Sequence, residues 1–429
     1  MTVITRPDIK SLSETGGLLS ILEQHLEEVH TLYNQRQDLV HSLSGTLPDI
    51  LLLDNRIDAN LDGLRCYHNA IDKLLDVLGE SVDNGFIFTA SILATETKNT
   101  ELLKCILAKV ESEHDSLPGL LSAYSWIPEG FTKALVPRLF SLSTIGQILA
   151  LHLCQHHFIR AETQLEWALT QDNVNIQTAG LDTVSTLGLT ELLPACRKLL
   201  ASTDERVAMH AQRTCVLLEQ NPSSLLEAVL RAKPEQQRMA LPLLLTCLPL
   251  PQAAPFLSTL AKTTEDKRLL LLCAGQLGDP SCIPALLRLM QNAALARIAA
   301  FAFSFITGLD LTEHNMEGSA PAEFEAGPTD SPEDDEVASD PDEGLPWPDR
   351  DKLAQWWEHK GSTFKPGIRY LMGKEISREH CLDVLETGNQ AQRQMAALHL
   401  KKMDPAAPLF LIDAPAWRQQ TRLAQLRHS

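Results

Sequence analysis

A period of about thirty residues in the middle third constrains this chain more than any other feature. Gln177, Arg206, Arg238, Arg268 and Arg297 each fall two to four residues inside the start of an apolar-periodic segment, at spacings of 29, 32, 30 and 29 residues. A second marker runs out of phase with the first. Pro194, Pro255 and Pro284 each open a leucine-rich segment, and the intermediate position near Ser224 has no proline. Two markers sharing one period predict a repeated helix–turn–helix unit, whose apolar face is buried only when neighbouring units stack. Proline is tolerated in the first turn of the second helix because that N–H has no intrahelical partner. Asp172 and Asp204 are placed to cap first helices, and Gly188 and Gly278-Asp279-Pro280 to stop them. The repeated arginine suits either pairing with an acid of the neighbouring unit, which would form a ladder, or solvation.

The flanks do not repeat. In the first 162 residues, Leu18, Leu19, Leu22, Leu26 and Val29, and then Leu53, Ile57, Leu61 and Leu64, lie at helical spacing. Two further helices are expected over 101–110 and 135–158. The array occupies 163–314. Between Glu317 and Glu343 there are eleven acids and no Lys or Arg. Residues 315–344 have almost nothing apolar to offset their ordering entropy, which predicts a disordered acidic linker. A C-terminal helical domain, 345–429, follows, with helices expected from Asp349 or Arg350, over 377–386 and over 390–401, and a polar tail at 414–420. The fold class expected is therefore all-α: a HEAT-like helical-repeat solenoid with an N-terminal non-repeat helical domain and a small C-terminal helical domain.

Composition agrees with helices. Aromatics make up 5% of the 429 residues, whereas pleated faces lean on aromatic and β-branched side chains. The formal charge is −18, from 37 basic and 55 acidic residues, and removing the −11 of the acidic stretch leaves −7. Such a surface repels phosphates and anionic headgroups, so nucleic acid is excluded as a partner. No apolar run of about 18 residues occurs, so membrane insertion is not expected. Nine cysteines, scattered singly, fit a reducing compartment and small hydrophobic roles in the core. A bacterial, cytoplasmic protein is expected.

No nucleotide-binding loop, nucleophile elbow or His-Glu-x-x-His helix is present. His25 and His30 are five residues apart and point away from each other on a helix. Cys154, His156 and His157 invite a metal reading, but Cys154 and His156, two residues apart, face opposite sides of a helix. Asp58 to Gly63 matches half of a calcium loop, but its twelfth position is Asn69, and Leu53, Ile57, Leu61 and Leu64 carry a helical stripe straight through it. No catalytic residue, metal ligand or cofactor is expected. Trp347, Trp357, Arg369 and Trp417 concentrate large side chains in an aromatic-poor chain, which suits either a partner hot spot or the core of a small terminal domain.

Several stretches carry a family resemblance: Glu23-Gln24-His25-Leu26-Glu27-Glu28, Asn60-Leu61-Asp62-Gly63-Leu64, Leu120-Leu121-Ser122-Ala123-Tyr124-Ser125-Trp126, Phe305-Ile306-Thr307-Gly308-Leu309-Asp310-Leu311, Asp342-Glu343-Gly344-Leu345-Pro346-Trp347-Pro348 and Lys365-Pro366-Gly367-Ile368-Arg369-Tyr370-Leu371. With them the chain resembles a family of bacterial HEAT-repeat proteins whose genes accompany type VI secretion genes, and it is more distantly similar to the repeats of phycobilin lyases. The resemblance implies a context of secretion-system assembly or effector handling, and it carries over no site residue. The function expected is a protein–protein interaction scaffold or adaptor for an effector or component of that system. The alternatives are an immunity or regulatory protein that binds one toxin, and an enzyme of lyase or hydrolase type.

Overall fold

Leucine stripes at helical spacing become helices nearly throughout the computed structural model, which describes residues 16–67, 70–78, 82–322, 324 and 340–428. Apart from a two-stranded pairing of Tyr370–Leu371 with Lys374–Glu375, the described chain is all-α. Residue contacts divide it into two compact units, Met1–Thr183 with Asp413–Gln419, and Val184–Ile412 with Gln420–Ser429. This division falls elsewhere than the boundaries expected at 162, 314 and 344.

The first unit contains α1 (Gly16–His41), α2 (Leu47–Arg65), α3 (Ala70–Leu78), α4 (Asn84–Glu96), α5 (Thr100–Ser112), α6 (Leu117–Trp126), α7 (Glu129–Thr132), α8 (Val136–Phe140), α9 (Thr144–His156) and α10 (Glu162–Leu169). Helix α2 runs unbroken through Asp58–Gly63, capped by Thr46 and Asp49, so the half calcium loop is helix. The single helix expected over 135–158 is two, because Ser143 accepts from the Gly146 N–H and starts a new helix. Helix α4 is buried over Ile87–Thr95, as an element apolar on every side must be. It packs against α1 and α6 in a core that includes Leu22, Ile57, Phe88, Leu120 and Leu149.

One buried ion pair ties the distant end of the chain into this unit. Arg36 Nε donates to Asp54 Oδ1 at 2.5 Å, with side-chain exposures of 7% and 1%. Both residues have polar capacity left over, and residues 413–416 use it. Arg36 Nη2 donates to the carbonyls of Asp413 and Ala414, and Asp54 Oδ2 accepts from the Ala416 N–H at 2.6 Å. The stretch expected as a polar tail thus begins as a buried segment and continues as α23 (Ala416–His428).

The second unit stacks helix pairs. Following α11 (Val174–Leu187) come α12 (Leu193–Lys198) with α13 (Glu205–Glu219), α14 (Ser223–Arg231) with α15 (Pro234–Cys247), α16 (Leu250–Thr263) with α17 (Lys267–Leu277), and α18 (Ile283–Leu289) with α19 (Ala293–Thr307). Each helix packs on its pair mate, and the second members α13, α15, α17 and α19 each pack on the next. Several local expectations hold, among them the Asp204 cap and the left-handed stops at Gly188 and Gly278. Two shift. Asn173, not Asp172, caps α11, because its side chain reaches the Asn175 and Ile176 N–H groups. Pro255 lies one turn inside α16, which Pro251 opens.

What holds the long helices together at their C-terminal ends is the segment expected as a separate C-terminal domain. The last carbonyls of a helix have no intrahelical donor and carry partial negative charge. Here the donors come from downstream. Arg369 donates to Leu245 and Leu248 at the end of α15 and to Leu277 at the end of α17, and Lys402 Nζ donates to Thr246. The Tyr370 N–H reaches Gly278 O, the Met372 and Gly373 N–H groups reach Phe305 O and Ile306 O of α19, and the Leu409 N–H reaches Thr186 O of α11. Approach this close requires glycine: a Cβ on Gly278, at φ +72°, would lie 2.3 Å from Tyr370 O. The rest of the segment forms α20 (Arg350–Lys360), α21 (Arg378–Thr387) and α22 (Gln390–Met403), the last packed on α15. All three start where the sequence places them. Residues 345–412 do not stand apart, because they supply the caps.

Nor are the described ends of the acidic stretch free. Asp342 is buried and accepts from Arg268, Asp340 pairs with Arg297, and the Gly318 and Asp349 N–H groups donate to Trp347 O and Met316 O. Residues 323 and 325–339 of the expected disordered linker lie outside the described residues. The arginine ladder is accordingly partial. Arg238 pairs with Asp266 at the start of the next long helix, whereas Arg268 and Arg297 take their acids from this stretch.

Two substitutions test these devices. Gly278→Ala should destabilise the second unit by more than the roughly 1 kcal/mol of a left-handed alanine, since the strap must also move, read as a drop in denaturant midpoint. Arg36→Met leaves Asp54 buried without its cation and should cost about 3–5 kcal/mol. A Tm within a degree of wild type would show that the pair is not what secures the first unit.

Candidate functional site

The first unit contains a cavity of about 210 Å³ whose wall combines aromatic and titratable side chains. Tyr33 and Arg36 come from α1, Ser125 and Trp126 from the last turn of α6, His152 and His156 from the end of α9, and Asp413 from the chain end that the ion pair holds. Helical spacing explains the histidines: four residues apart, they share a face, and their rings stack at 4.0 Å between centroids.

Hydrogen bonds position this wall. Ser125 Oγ and His152 Nε2 are 2.7 Å apart, and His152 also bonds the Leu121 backbone. The Tyr33 hydroxyl is 3.3 Å from Ser122 Oγ, and the Arg36 guanidinium lies 5.6 Å from the centre of the Trp126 ring. His156 Nδ1 is buried with no hydrogen-bond partner, a state that costs free energy and calls for an explanation. Asp413 is exposed, and its carboxylate forms no ion pair among the described residues.

Burial sets the charge of the imidazoles. It holds the His152 pKa well below the usual histidine range, with a further push from His156. Burial takes His156 down to about 3, helped by His157, Arg418 and Arg36, and takes His157 to about 4, helped by Arg418. All three are neutral at pH 7. His157 bonds Tyr124 O and Thr132 Oγ1, away from the cavity wall, and Cys154 lies in the core with a thiol raised to about 12. Cys154, His156 and His157 therefore have three separate surroundings. Among the described residues, no group of three or more His, Cys, Asp or Glu is arranged to hold a metal ion.

The Ser125–His152 contact has the spacing of a nucleophile and its base. Its placement argues against that chemistry. Ser125 also donates to the helical carbonyl of Leu121, and it sits at the C-terminal end of α6, where the backbone dipole opposes a developing oxyanion. The pair can orient a ligand through one hydroxyl and one imidazole.

Each residue singled out as a partner surface has its own local surroundings. Trp347 stacks edge-on with Phe324, with the Arg297 guanidinium 4.6 Å from its ring centre. Trp357 is half-buried beside Phe303 and Phe364. Arg369 caps helix ends. Trp417 belongs to the first unit and is 36% exposed, under the Arg418 guanidinium. Of the nine cysteines, Cys66 and Cys105 are exposed rather than in the core. The cavity residues were partly visible in sequence. His152 and His156 at i, i+4 were the available signal, which the Cys154–His157 cluster obscured; nothing local marks Asp413.

Compared with known proteins, the chain matches no family model, no curated protein and no solved structure. Among the described residues, no helix is long and apolar enough to cross a membrane.

Unfolded histidines bind protons below about pH 6.5, and the neutral, buried ones do not until far lower pH, so stability is full above 6.5 and falls with acidification. Between pH 6.5 and 5 the unfolding free energy should drop by up to about 1.4 kcal/mol per pH unit for each imidazole. His156→Phe should flatten that slope, measured by denaturant titration, and an unchanged slope would count against a neutral His156.

Proposed function

We propose that this chain is a protein-binding scaffold or adaptor built on HEAT-like repeats, acting in the bacterial cytoplasm on an effector or component of a type VI secretion system. The observation that carries the reading is the stack of α13, α15, α17 and α19, each with its pair mate. A stack of this kind grows lengthwise and offers an extended face, which suits a protein partner better than a small substrate. The secretion context rests on the resemblance of the segments quoted above. Capping of the long helices by residues 369–409 supports a preformed surface, since a partner then meets helices whose ends are already satisfied.

Met239 on α15 and Leu289 on α18 are large apolar residues left exposed, at 48% and 37%. The full-length protein serves as bait in a host with an intact type VI cluster and in one lacking it, with cross-linking to locate any partner. Met239→Asp and Leu289→Asp are expected to cut partner recovery about tenfold or more without moving the Tm, as for loss of an interface anchor. Equal recovery from both hosts removes the secretion context. No specific protein from either removes the scaffold reading.

A further inference from the structure

We propose that the cavity of the first unit binds a small organic amine in its ammonium form, with an aromatic or aliphatic body no larger than the space between α1, α6 and α9. The inference goes beyond the scaffold reading and does not depend on it. Three observations point to a cation. First, three helix C-termini contribute to the wall: Gln37 and His41 lie in the last turn of α1, Ser125 and Trp126 in the last turn of α6, and His156 at the end of α9. Each terminus contributes partial negative charge. Second, the only guanidinium in the wall, Arg36, is already neutralised by Asp54, whereas the Asp413 carboxylate pairs with nothing among the described residues. The formal balance of Arg36, Asp54 and Asp413 is thus negative, with Arg418 and Arg36 the cations that act on His156. Third, an imidazole nitrogen, Nδ1 of His156, is buried without a partner in a residue that lines the space. As an acceptor it recovers its hydrogen bond from an N–H donor.

The remaining groups fit the same ligand. Ser122 Oγ and the Tyr33 hydroxyl accept as readily as they donate, and Phe88 and Tyr33 supply ring surface for an apolar body. Against a metal ion, His152 is occupied by Ser125 and the Leu121 backbone, His41 Nδ1 bonds Gln37 O, and among the described residues no group of three or more His, Cys, Asp or Glu is arranged to hold a metal. Against an anion, the Asp413 carboxylate and the three helix C-termini have the wrong sign, and only Pro118 comes from a first turn, that of α6. The volume, about 210 Å³, is below the roughly 300–1,000 Å³ typical of drug-sized sites, so the ligand is small.

The test is calorimetric titration of the full-length protein with 2-phenylethylammonium, alongside phenylacetate and 2-phenylethanol as probes of similar shape carrying negative and no charge. Sub-millimolar binding of the ammonium alone is expected. Asp413→Asn, an exposed site whose change leaves the fold intact by circular dichroism, is expected to weaken binding about tenfold or more, as for loss of a charge-assisted hydrogen bond. His156→Phe should weaken it as well, and thermal shift on the same variants separates lost binding from lost folding. Failure of the ammonium to bind, equal binding of either control, or undiminished binding by Asp413→Asn each overturns the proposal.

Discussion

Helix ends dominate the second unit. A stack of antiparallel helices buries its sides through leucine but leaves rows of carbonyls at the C-terminal ends, and each needs a donor or water. In this chain the donors are supplied from one downstream stretch. Arg369 and Lys402 bring cations to the ends of α15 and α17, where the backbone dipole favours them, and the N–H groups of Tyr370, Met372, Gly373 and Leu409 answer carbonyls of α17, α19 and α11. Because one stretch serves several helices, their spacing and that of the strap are coupled. The left-handed glycines that stop α17 and α19 are also where the strap comes closest, so one residue type does two jobs at each crossing.

The first unit solves a related problem with charge. Arg36 and Asp54 would be costly apart in the core, and they are tolerated because each also bonds the backbone of residues 413–416. The ion pair thereby selects one path for the chain end. It also places Asp413 at the cavity, opposite histidines that burial keeps neutral. The electrostatic character of that cavity follows from three helix C-termini and from the Asp413 carboxylate, which forms no ion pair among the described residues, and no single stretch of sequence marks these together.

Legibility in the sequence followed range. Caps and stops are local, so Asp204, Ser377, Asp349, Gly188 and Gly278 were readable within a few residues, and the errors there were of one residue, as at Asn173, or of one turn, as at Pro255. Pairings at long separation were not readable. Arg268 and Arg297 looked like rungs of a ladder, yet they hold Asp342 and Asp340, 74 and 43 residues downstream. Arg369 suited either a partner hot spot or the core of a terminal domain, and it is a helix cap. In the cavity, the His152–His156 spacing was legible and the contributions of Arg36 and Asp413 were not.

By itself the sequence determined that the chain is helical and where most helices start, because apolar periodicity, capping side chains and glycine stops act over one or two turns. Tertiary structure alone decided how those helices are closed. Which carbonyls Arg369 meets, which acids take Arg268 and Arg297, and that residues 413–419 belong with the first 183 all depend on distances set after packing. A free cation or carboxylate has no sequence preference among distant partners, so its choice is made by the geometry that the helices have already built.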